Sequence, residues 1–224
     1  MNLFASLNEL IFPSRCIGCS AIGLSLCTQC RKLWHPHIYR SIVRRGPENF
    51  LSVTSALLYS PIVQKVLLSA KESDLQVADV LVAEAISHAI HNVLRESWID
   101  FLVPIPSRKS AARKRGRQFI EEITSPVATS CGLEMRTPLT HLRSIRDQTG
   151  LHIDQRWNNL HRSLVVKDTV EIDSERAPKK VLLVDDLVTT GATLLEAARA
   201  LRYAGFTVVG AVTAAVAQPV RLRD

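Results

Sequence analysis

A thirteen-residue stretch, VLLVDDLVTTGAT at residues 181–193, constrains the fold more than any other part of this 224-residue chain. Its first four residues are apolar and predict a buried strand at 181–184. Two acids, Asp185 and Asp186, follow directly, and a turn at residues 189–191 then opens a helix. Because ligands of open α/β sheets bind at the carboxyl ends of the strands, this junction is the candidate ligand site.

The residue types at this junction suit a phosphorylated sugar. A helix N-terminus offers unpaired backbone N–H groups and a partial positive charge, which hold a phosphate without any lysine. Gly191 is expected to let the backbone approach that phosphate closely, and two adjacent carboxylates suit the two hydroxyls of a diol. The chain lacks the Gly-x4-Gly-Lys-Ser/Thr pattern of a nucleoside-triphosphatase loop. The alternative interpretation is a charged strand end with a threonine as helix N-cap.

Apolar runs of strand length alternate with helical patterns from about residue 47 onward. This alternation predicts an α/β fold, a mostly parallel sheet flanked by helices. The predicted strands are residues 53–59, 99–103, 164–166, 181–184 and 207–216. The predicted helices are residues 61–70, 77–93, 118–130 and 191–204. A polar loop is predicted at 136–162 and a charged turn at 168–180, whereas residues 3–11 fit a short amphipathic helix.

Four of the five cysteines form two Cys-x2-Cys pairs, namely Cys16, Cys19, Cys27 and Cys30. Such a quartet can complete a tetrahedron around Zn²⁺, and four thiolates leave no open position for water, so the predicted zinc is structural. Disulfides or redox use are the alternatives, and Cys131 is interpreted as a packing residue. The sequence thus predicts a small zinc knuckle with the amphipathic helix at 1–46 and the main domain at 47–224.

Composition narrows the function classes. Hydrophobic residues make up 46% and charged residues 22%, which excludes disorder, collagen and coiled coil as the main state. The net charge of +7 favours polyanions or phosphorylated small molecules as partners. The apolar start lacks a cationic region typical of signal peptides, and no apolar run is long enough for a membrane span, so we expect a cytoplasmic protein without a membrane span.

Two groups of basic residues are candidates for nucleic-acid contact. The first surrounds the cysteines with Trp34 and Tyr39 interleaved, and comprises Arg15, Arg31, Lys32, Arg40, Arg44 and Arg45. It either follows a single strand of DNA or is a solvated surface with Trp34 packed beneath the knuckle. The second comprises Arg108, Lys109, Arg113, Lys114, Arg115 and Arg117. Three interpretations of this second group remain open. It binds DNA weakly through Arg113, Lys114, Arg115 and Arg117, it attracts a pyrophosphate, or it is the solvated start of a helix.

The stretch at 181–193 resembles the phosphoribosyl-diphosphate (PRPP) signature of type I phosphoribosyltransferases at all thirteen positions. The resemblance implies that Asp185 and Asp186 hold the ribose hydroxyls and stabilise the reacting centre, and that pyrophosphate leaves on Mg²⁺. It also implies that the PRPP site includes Leu187 and Val188 and that the 5′-phosphate lies on the next five residues, Thr189, Thr190, Gly191, Ala192 and Thr193. Ser107 and Arg108 lie where the family has its pyrophosphate loop, and Lys71 matches a lysine of the most similar subfamily.

Together with the cysteine quartet, this signature resembles the ComF family, which includes GntX-type proteins. The likeness extends to residues 103–106, to Arg115-Gly116 and to Gln148, Leu151, Arg156 and Asn159. It departs at residues 117–119, where Arg-Gln-Phe replaces Phe-Asn-Gln, and at Ile145, where a threonine is frequent. The resemblance implies a structural Zn²⁺, PRPP or a related phosphorylated ligand, and a role in DNA uptake during competence with single-stranded DNA and a helicase. An enzyme with an unknown acceptor and a non-catalytic DNA-transport accessory both fit.

Overall fold

The computed structural model describes residues 14–73, 75–142, 163–167 and 177–217. The main sheet has six strands in the order β1-β2-β8-β7-β3-β4. Its strands are β1 (Tyr39–Arg44), β2 (Phe50–Leu58), β3 (Phe101–Pro104), β4 (Glu134–Met135), β7 (Lys180–Val188) and β8 (Thr207–Val216). A separate two-stranded antiparallel sheet pairs β5 (Leu139–His141) with β6 (Leu164–Val166). In the main sheet β1 is antiparallel to β2, and all other neighbours are parallel.

Helices cover both faces of the main sheet, as the alternating pattern predicts. They are α1 (Thr28–Leu33), α2 (Pro61–Glu72), α3 (Gln76–Leu94), α4 (Lys109–Arg115), α5 (Phe119–Ser130) and α6 (Ala192–Tyr203). One buried core joins α2, α3 and α5 to a sheet face that includes Leu182 and Val184. The other joins α6 to the opposite face, which includes Val181 and Leu183. Since β7 is buried on both faces, its apolar run is continuous rather than alternating. The α/β prediction is confirmed.

Three strands, β1, β4 and β5, fall where the sequence predicts none. Residues 39–44 lie in the segment predicted to belong to the knuckle, but they form β1 and pair with β2 from Tyr39↔Ser55 to Arg44↔Phe50. These residues are therefore part of the main sheet. Similarly, the predicted loop at 136–162 contains β5, which pairs with β6. The predicted N-terminal helix, residues 143–162 and residues 168–176 lie outside the described residues.

The long helix α3 meets the length and composition of a membrane span, contrary to the sequence expectation that no segment does. Core helices of other proteins meet the same criterion, and only 39% of the qualifying window is buried. One face of α3 packs in the core through Leu81, Val82, Ala85, Ile86 and Ile90. The apolar composition of α3 therefore has a packing role in this fold.

The cysteine-containing segment packs against the main domain at α2. Trp34 is 1% exposed and belongs to the core with α2 and α3, and Ile17 and Leu26 pack against that core. Lys65, on α2, donates a hydrogen bond from Nζ to the carbonyl oxygen of Gly18 at 2.7 Å. Of the two interpretations of Trp34, packing beneath the knuckle is therefore the correct one, and its ring is not accessible for stacking on a base.

Candidate functional site

The acidic pair lies within strand β7 rather than after it. Pairing with β8 continues past the acids, because Asp185 is in register with Thr213 and Val188 with Val216. Successive side chains of a strand point to opposite faces, so the two carboxylates begin on different sides of the sheet. Asp186 is buried and Asp185 is half-buried, and the N–H of Asp186 donates to Oδ1 of Asp185 at 2.9 Å.

Lys71 is the cationic partner of this pair. It lies in the last turn of α2 and forms an ion pair with Oδ2 of Asp186. Burial is the larger cause and the Asp186 carboxylate the second cause that raises the pKa of Asp185 well above its usual range, while the charge of Lys71 opposes that rise. The structure thus brings together Lys71, Asp185 and Asp186, which the sequence assigns to one site.

The turn that precedes α6 contains the predicted phosphate-binding residues. Thr189 is exposed, and Thr190 and Thr193 are half-buried. The N–H of Ala192 donates to Oγ1 of Thr190 at 3.4 Å. At this point the chain leaves β7 and enters α6, so the hydroxyls and the first amides of α6 lie at one end of the sheet. Leu187 and Val188 pack in the two cores and link this turn to the acids.

Gly191 is required at this turn for a reason that the sequence analysis did not give. Its φ is +72°, a left-handed conformation in which side chains are strained. A Cβ atom at this position would lie 2.3 Å from Cγ1 of Val43, in β1. The described structure therefore explains the glycine by its backbone conformation and by β1, whereas the predicted reason was close approach of a phosphate.

The loop after β3 runs beside the acidic pair. The N–H of Ile105 donates to the carbonyl oxygen of Val184 at 2.9 Å, which extends the parallel pairing of β3 with β7. Ser107 and Arg108, both half-buried, follow at the same edge of the sheet. They precede α4, in which Ala112 donates its N–H to the carbonyl oxygen of Arg108 at 2.9 Å. The predicted pyrophosphate residues thus lie in the loop after β3, and β3 is the strand next to the one that contains the predicted ribose residues.

A cavity of about 140 Å³ lies between this loop and the β5–β6 sheet. Its apolar wall includes Ile105 and Leu139. Its polar lining comprises Ser107, Gln118, Glu121, Thr137, Thr140, His141 and Lys167. His141 Nε2 donates to the carbonyl oxygen of Pro106 at 3.2 Å, which ties the small sheet to the β3 loop. Apart from Ser107, sequence reasoning did not assign these residues to a site, because Gln118 lies where the chain departs from the ComF pattern and the others come from segments without a motif.

The basic run at 108–117 divides in the structure. Arg113 and Lys114 are exposed at the end of α4, and Arg115 is half-buried and donates from Nε to the carbonyl oxygen of Ala111 at 3.0 Å. Arg117 differs, since its side chain is 12% exposed and forms ion pairs of 2.8 Å with Asp79 and Glu122. Its guanidinium also lies over the ring of Phe119. The prediction that Arg117 contacts DNA is therefore not supported by this geometry: its charge is already neutralised by carboxylates.

Among the six basic residues around the cysteines, Arg31 and Arg40 have acidic partners. Arg31 forms an ion pair with Glu84 at 3.2 Å, and Arg40 forms one with Glu96 and a hydrogen bond to Asn92 at 3.0 Å. Glu84 and Asn92 lie on α3, and Glu96 lies just beyond its end. Together with the buried ring of Trp34, these pairs favour the interpretation in which this segment packs on the main domain.

The four predicted metal ligands form one cluster. The sulfur atoms of Cys16, Cys19, Cys27 and Cys30 all lie within 4.8 Å of one another, and the sulfurs of Cys19 and Cys27 are 3.6 Å apart. Tetrahedral zinc–thiolate bonds of about 2.3 Å place the sulfurs about 3.8 Å apart, so the spacing fits zinc. All four are free thiols.

The cluster residues have unequal environments. Burial raises the pKa of Cys16, but hydrogen bonds from backbone N–H groups, that of Cys27 first, outweigh it and lower the pKa to about 6. Burial and the neighbouring thiols raise the pKa of Cys30 to about 12. A cation bound among them would favour the thiolate at every position.

The fold is that of an α/β protein, and its candidate site residues lie at the carboxyl ends of β3 and β7. Residues 81–223 match the phosphoribosyl transferase domain family, and the chain belongs to this family. The match excludes the cysteine cluster, β1, β2 and α2, and therefore also Lys71. The type I phosphoribosyltransferase fold predicted from residues 181–193 is confirmed.

Individual relatives are adenine phosphoribosyltransferases. A 48-residue segment is 50% identical to the enzyme of Polynucleobacter asymbioticus; it covers 20% of this chain, and the chain spans 28% of that relative's length. One solved adenine phosphoribosyltransferase has a TM-score of 0.45 at 12% identity, covering 85% of this chain and 91% of that chain. The Saccharomyces cerevisiae enzyme has a TM-score of 0.43 at 11% identity, covering 84% and 87%. The family assignment rests on the match over residues 81–223.

Proposed function

We propose that this protein binds PRPP at the carboxyl end of β7 and resembles the ComF family in doing so. The observation that carries the proposal is the Asp185–Asp186 pair with Lys71 on Asp186, immediately before the turn into α6. The ribose hydroxyls would donate to the two carboxylates, and the phosphate would lie on residues 189–193. The fold family supports a phosphorylated ligand of this kind.

The same residues suit transfer of the phosphoribosyl group. As the bond to pyrophosphate breaks, positive charge develops on the ribosyl centre, and the carboxylates of Asp185 and Asp186 stabilise it. Lys71, Ser107 and Arg108 offer cations and a hydroxyl to the leaving pyrophosphate. Carboxylate oxygens are hard donors that fit Mg²⁺, which supplies charge neutralisation to the pyrophosphate when it is bound with PRPP.

Structural zinc in the cysteine cluster is part of the proposal. The cluster contacts α2 at Lys65, and the last turn of α2 contains Lys71. A metal at the four sulfurs would therefore stabilise the segment that contacts α2, the helix that contains Lys71. Such a metal would have a structural role away from the reacting atoms.

The second candidate function is that of a non-catalytic accessory that binds single-stranded DNA during uptake with a helicase. The observation that favours it is the exposure of Arg113 and Lys114 at the end of α4. Phosphate contacts by such residues are sequence-tolerant and salt-dependent, with a slope contribution of about 0.7 per contact on single strands. We therefore expect Arg113→Gln/Lys114→Gln to reduce the salt slope by about 1.4, and the charge-matched control Lys179→Gln/Arg202→Gln to leave it unchanged.

One experiment separates the two functions: pyrophosphate release from PRPP and Mg²⁺, measured across a panel of purine and pyrimidine bases with and without single-stranded DNA. Base-dependent release supports the transferase. PRPP binding without release for any base, together with salt-dependent DNA binding lost in the Arg113/Lys114 variant, supports the accessory. Absence of PRPP binding contradicts the proposal for the site itself.

A further inference from the structure

The outer edge of the small β5–β6 sheet is covered by side chains of α6. Leu164 is in register with His141, and the flanking bonds run from Leu142 N–H to Ser163 O and from Lys167 N–H to Pro138 O. In an antiparallel ladder this alternation leaves both backbone groups of Leu164 pointing away from β5. Since Leu164 is fully buried, these groups need partners other than water.

Glu196 and Arg199 supply both partners. The N–H of Leu164 donates to Oε1 of Glu196 at 3.2 Å, and Nη2 of Arg199 donates to the carbonyl oxygen of Leu164 at 3.0 Å. The two side chains are also bonded to each other, from Nε to Oε2 and from Nη2 to Oε1, both at 2.8 Å. We call the Glu196–Arg199 pair on Leu164 the clamp: Glu196 is buried at 6% exposed, whereas the Arg199 side chain is 31% exposed and reaches the surface.

The clamp connects two parts of the proposed site through one helix. Glu196 lies five residues after Gly191, about 7.5 Å along the helix from the turn assigned to the phosphate. On its other side, the β5–β6 sheet contributes Leu139, Thr140 and His141 to the cavity, and Lys167 follows β6 directly. The helix that presents its N-terminus to a phosphate thus also holds one wall of the cavity.

We propose that Glu196 and Arg199 are positioning residues that fix the β5–β6 wall relative to the phosphate turn, so that a ligand bound at the turn stabilises the wall. This inference rests on the proposed PRPP site and extends it. Ion pairs contribute little net stability, whether they are exposed to solvent or buried, so general stabilisation is a poor explanation for this half-buried pair. Two backbone hydrogen bonds to one buried residue, in contrast, specify the place of β6 on α6.

The test is amide hydrogen exchange at Leu164, with and without PRPP and Mg²⁺, combined with calorimetric PRPP affinity. The Leu164 amide exchanges when the β5–β6 wall detaches from α6. If PRPP binds only while the wall is attached, PRPP at 100 times its Kd slows this exchange by up to about a hundredfold. We expect at least a tenfold slowing in wild type. Glu196→Ala/Arg199→Ala should reduce it to less than twofold while PRPP affinity changes by less than about threefold, since the phosphate turn itself is untouched.

Two further variants separate positioning from folding. Glu196→Gln keeps an oxygen for the Leu164 N–H and should retain most of the PRPP-dependent slowing. Arg202→Ala is the matched control, because Arg202 is on the same helix and donates to a backbone carbonyl, that of Phe50 in β2, at 3.2 Å; it should behave as wild type. If wild type binds PRPP but Leu164 exchange does not change, or if the double variant retains the tenfold slowing, the clamp proposal is wrong. If wild type does not bind PRPP, the site proposal fails and the clamp proposal fails with it.

Discussion

Lys71 on α2 forms an ion pair with Asp186 on β7, so the cation and the acid assigned to one ligand site are in direct contact. The pair joins α2, which lies outside the residues that match the family, to β7, which lies inside them. Asp186 is buried and the Lys71 side chain is 28% exposed. A ligand that binds here therefore contacts the Asp186 carboxylate while Lys71 of α2 balances its charge.

Removing Lys71 should destabilise the fold because it leaves the buried Asp186 carboxylate without its cation. We expect Lys71→Met to lower the free energy of unfolding by about 1–3 kcal/mol, and the double variant Lys71→Met/Asp186→Asn to lose less than the sum of the single variants. Urea unfolding measures all three. Lys179→Met is the matched control: its pair with Asp100 is 3.6 Å long and more exposed, so the effect should stay within about 0.5 kcal/mol. Additive effects of Lys71→Met and Asp186→Asn would contradict a coupled pair.

The pH dependence of stability should report on Asp185. Burial and the Asp186 carboxylate raise the pKa of Asp185, so in the folded state it keeps a proton that the unfolded chain has already released. The free energy of unfolding should therefore fall as pH rises from about 4, the ordinary pKa of aspartate, through the raised value. Asp185→Asn should remove this fall and be the more stable protein above that range. Parallel pH profiles of wild type and Asp185→Asn, measured by urea unfolding, would show that the pKa is not raised.

Substitution of Gly191 should reveal its contact with β1. Gly191→Ala places a Cβ against Val43 and at φ +72°, whereas Gly116→Ala has the same φ and no atom within 4 Å of the added Cβ. The backbone strain alone costs about 1–2 kcal/mol, so Gly116→Ala should lower the free energy of unfolding by about that amount and Gly191→Ala should lower it further. Adding Val43→Ala to Gly191→Ala should lessen the steric part of the loss. Equal losses at the two glycines in thermal or urea unfolding would rule out the Val43 contact as a cause.

The central part of the fold was predictable because its signals are local. A continuous apolar run identifies β7, and helical spacing identifies α3. The extension of β7 through Asp185 to Val188 was not predictable, since two acids interrupt the apolar pattern that identifies the strand. These residues belong to β7 because their backbone pairs with β8. In β1, the alternation of Tyr39, Ser41 and Val43 was present but was obscured by the arginines between and after them.

Within the site, residue types were predictable and partners were not. The motif at 181–193 identified the acids and the turn, and the resemblance added Lys71, yet the Lys71–Asp186 contact depends on how α2 packs on the sheet. Likewise, a glutamate and an arginine three residues apart on a helix ordinarily indicate a solvent-exposed pair. Glu196 and Arg199 instead face the buried Leu164, which follows from the placement of β6 and not from their spacing.

The cysteine cluster should bind one zinc ion per chain. Elemental analysis of the purified protein checks this, and Cys131→Ser, which changes the cysteine outside the cluster, is the control that should keep the metal. Cys16→Ser should lose zinc and alter the fluorescence of Trp34, because Ile17 and Leu26 of the cysteine-containing segment pack against the core to which that ring belongs. The sheet should remain folded, since it has its own cores. Metal-free wild-type protein with an unchanged Trp34 environment would contradict a structural zinc.

The most direct test of the central claim is calorimetric titration of PRPP with Mg²⁺ into wild type, Asp185→Asn, Asp186→Asn and Asp100→Asn. Charge-assisted hydrogen bonds are worth about 1.5–3 kcal/mol, so each of the first two variants should bind roughly ten- to a hundredfold more weakly than wild type. Asp100 precedes β3 and lies at the opposite, amino end of the sheet, so Asp100→Asn should bind like wild type. Wild-type affinity in both Asp185→Asn and Asp186→Asn, or no PRPP binding by wild type, would contradict a PRPP site at the end of β7.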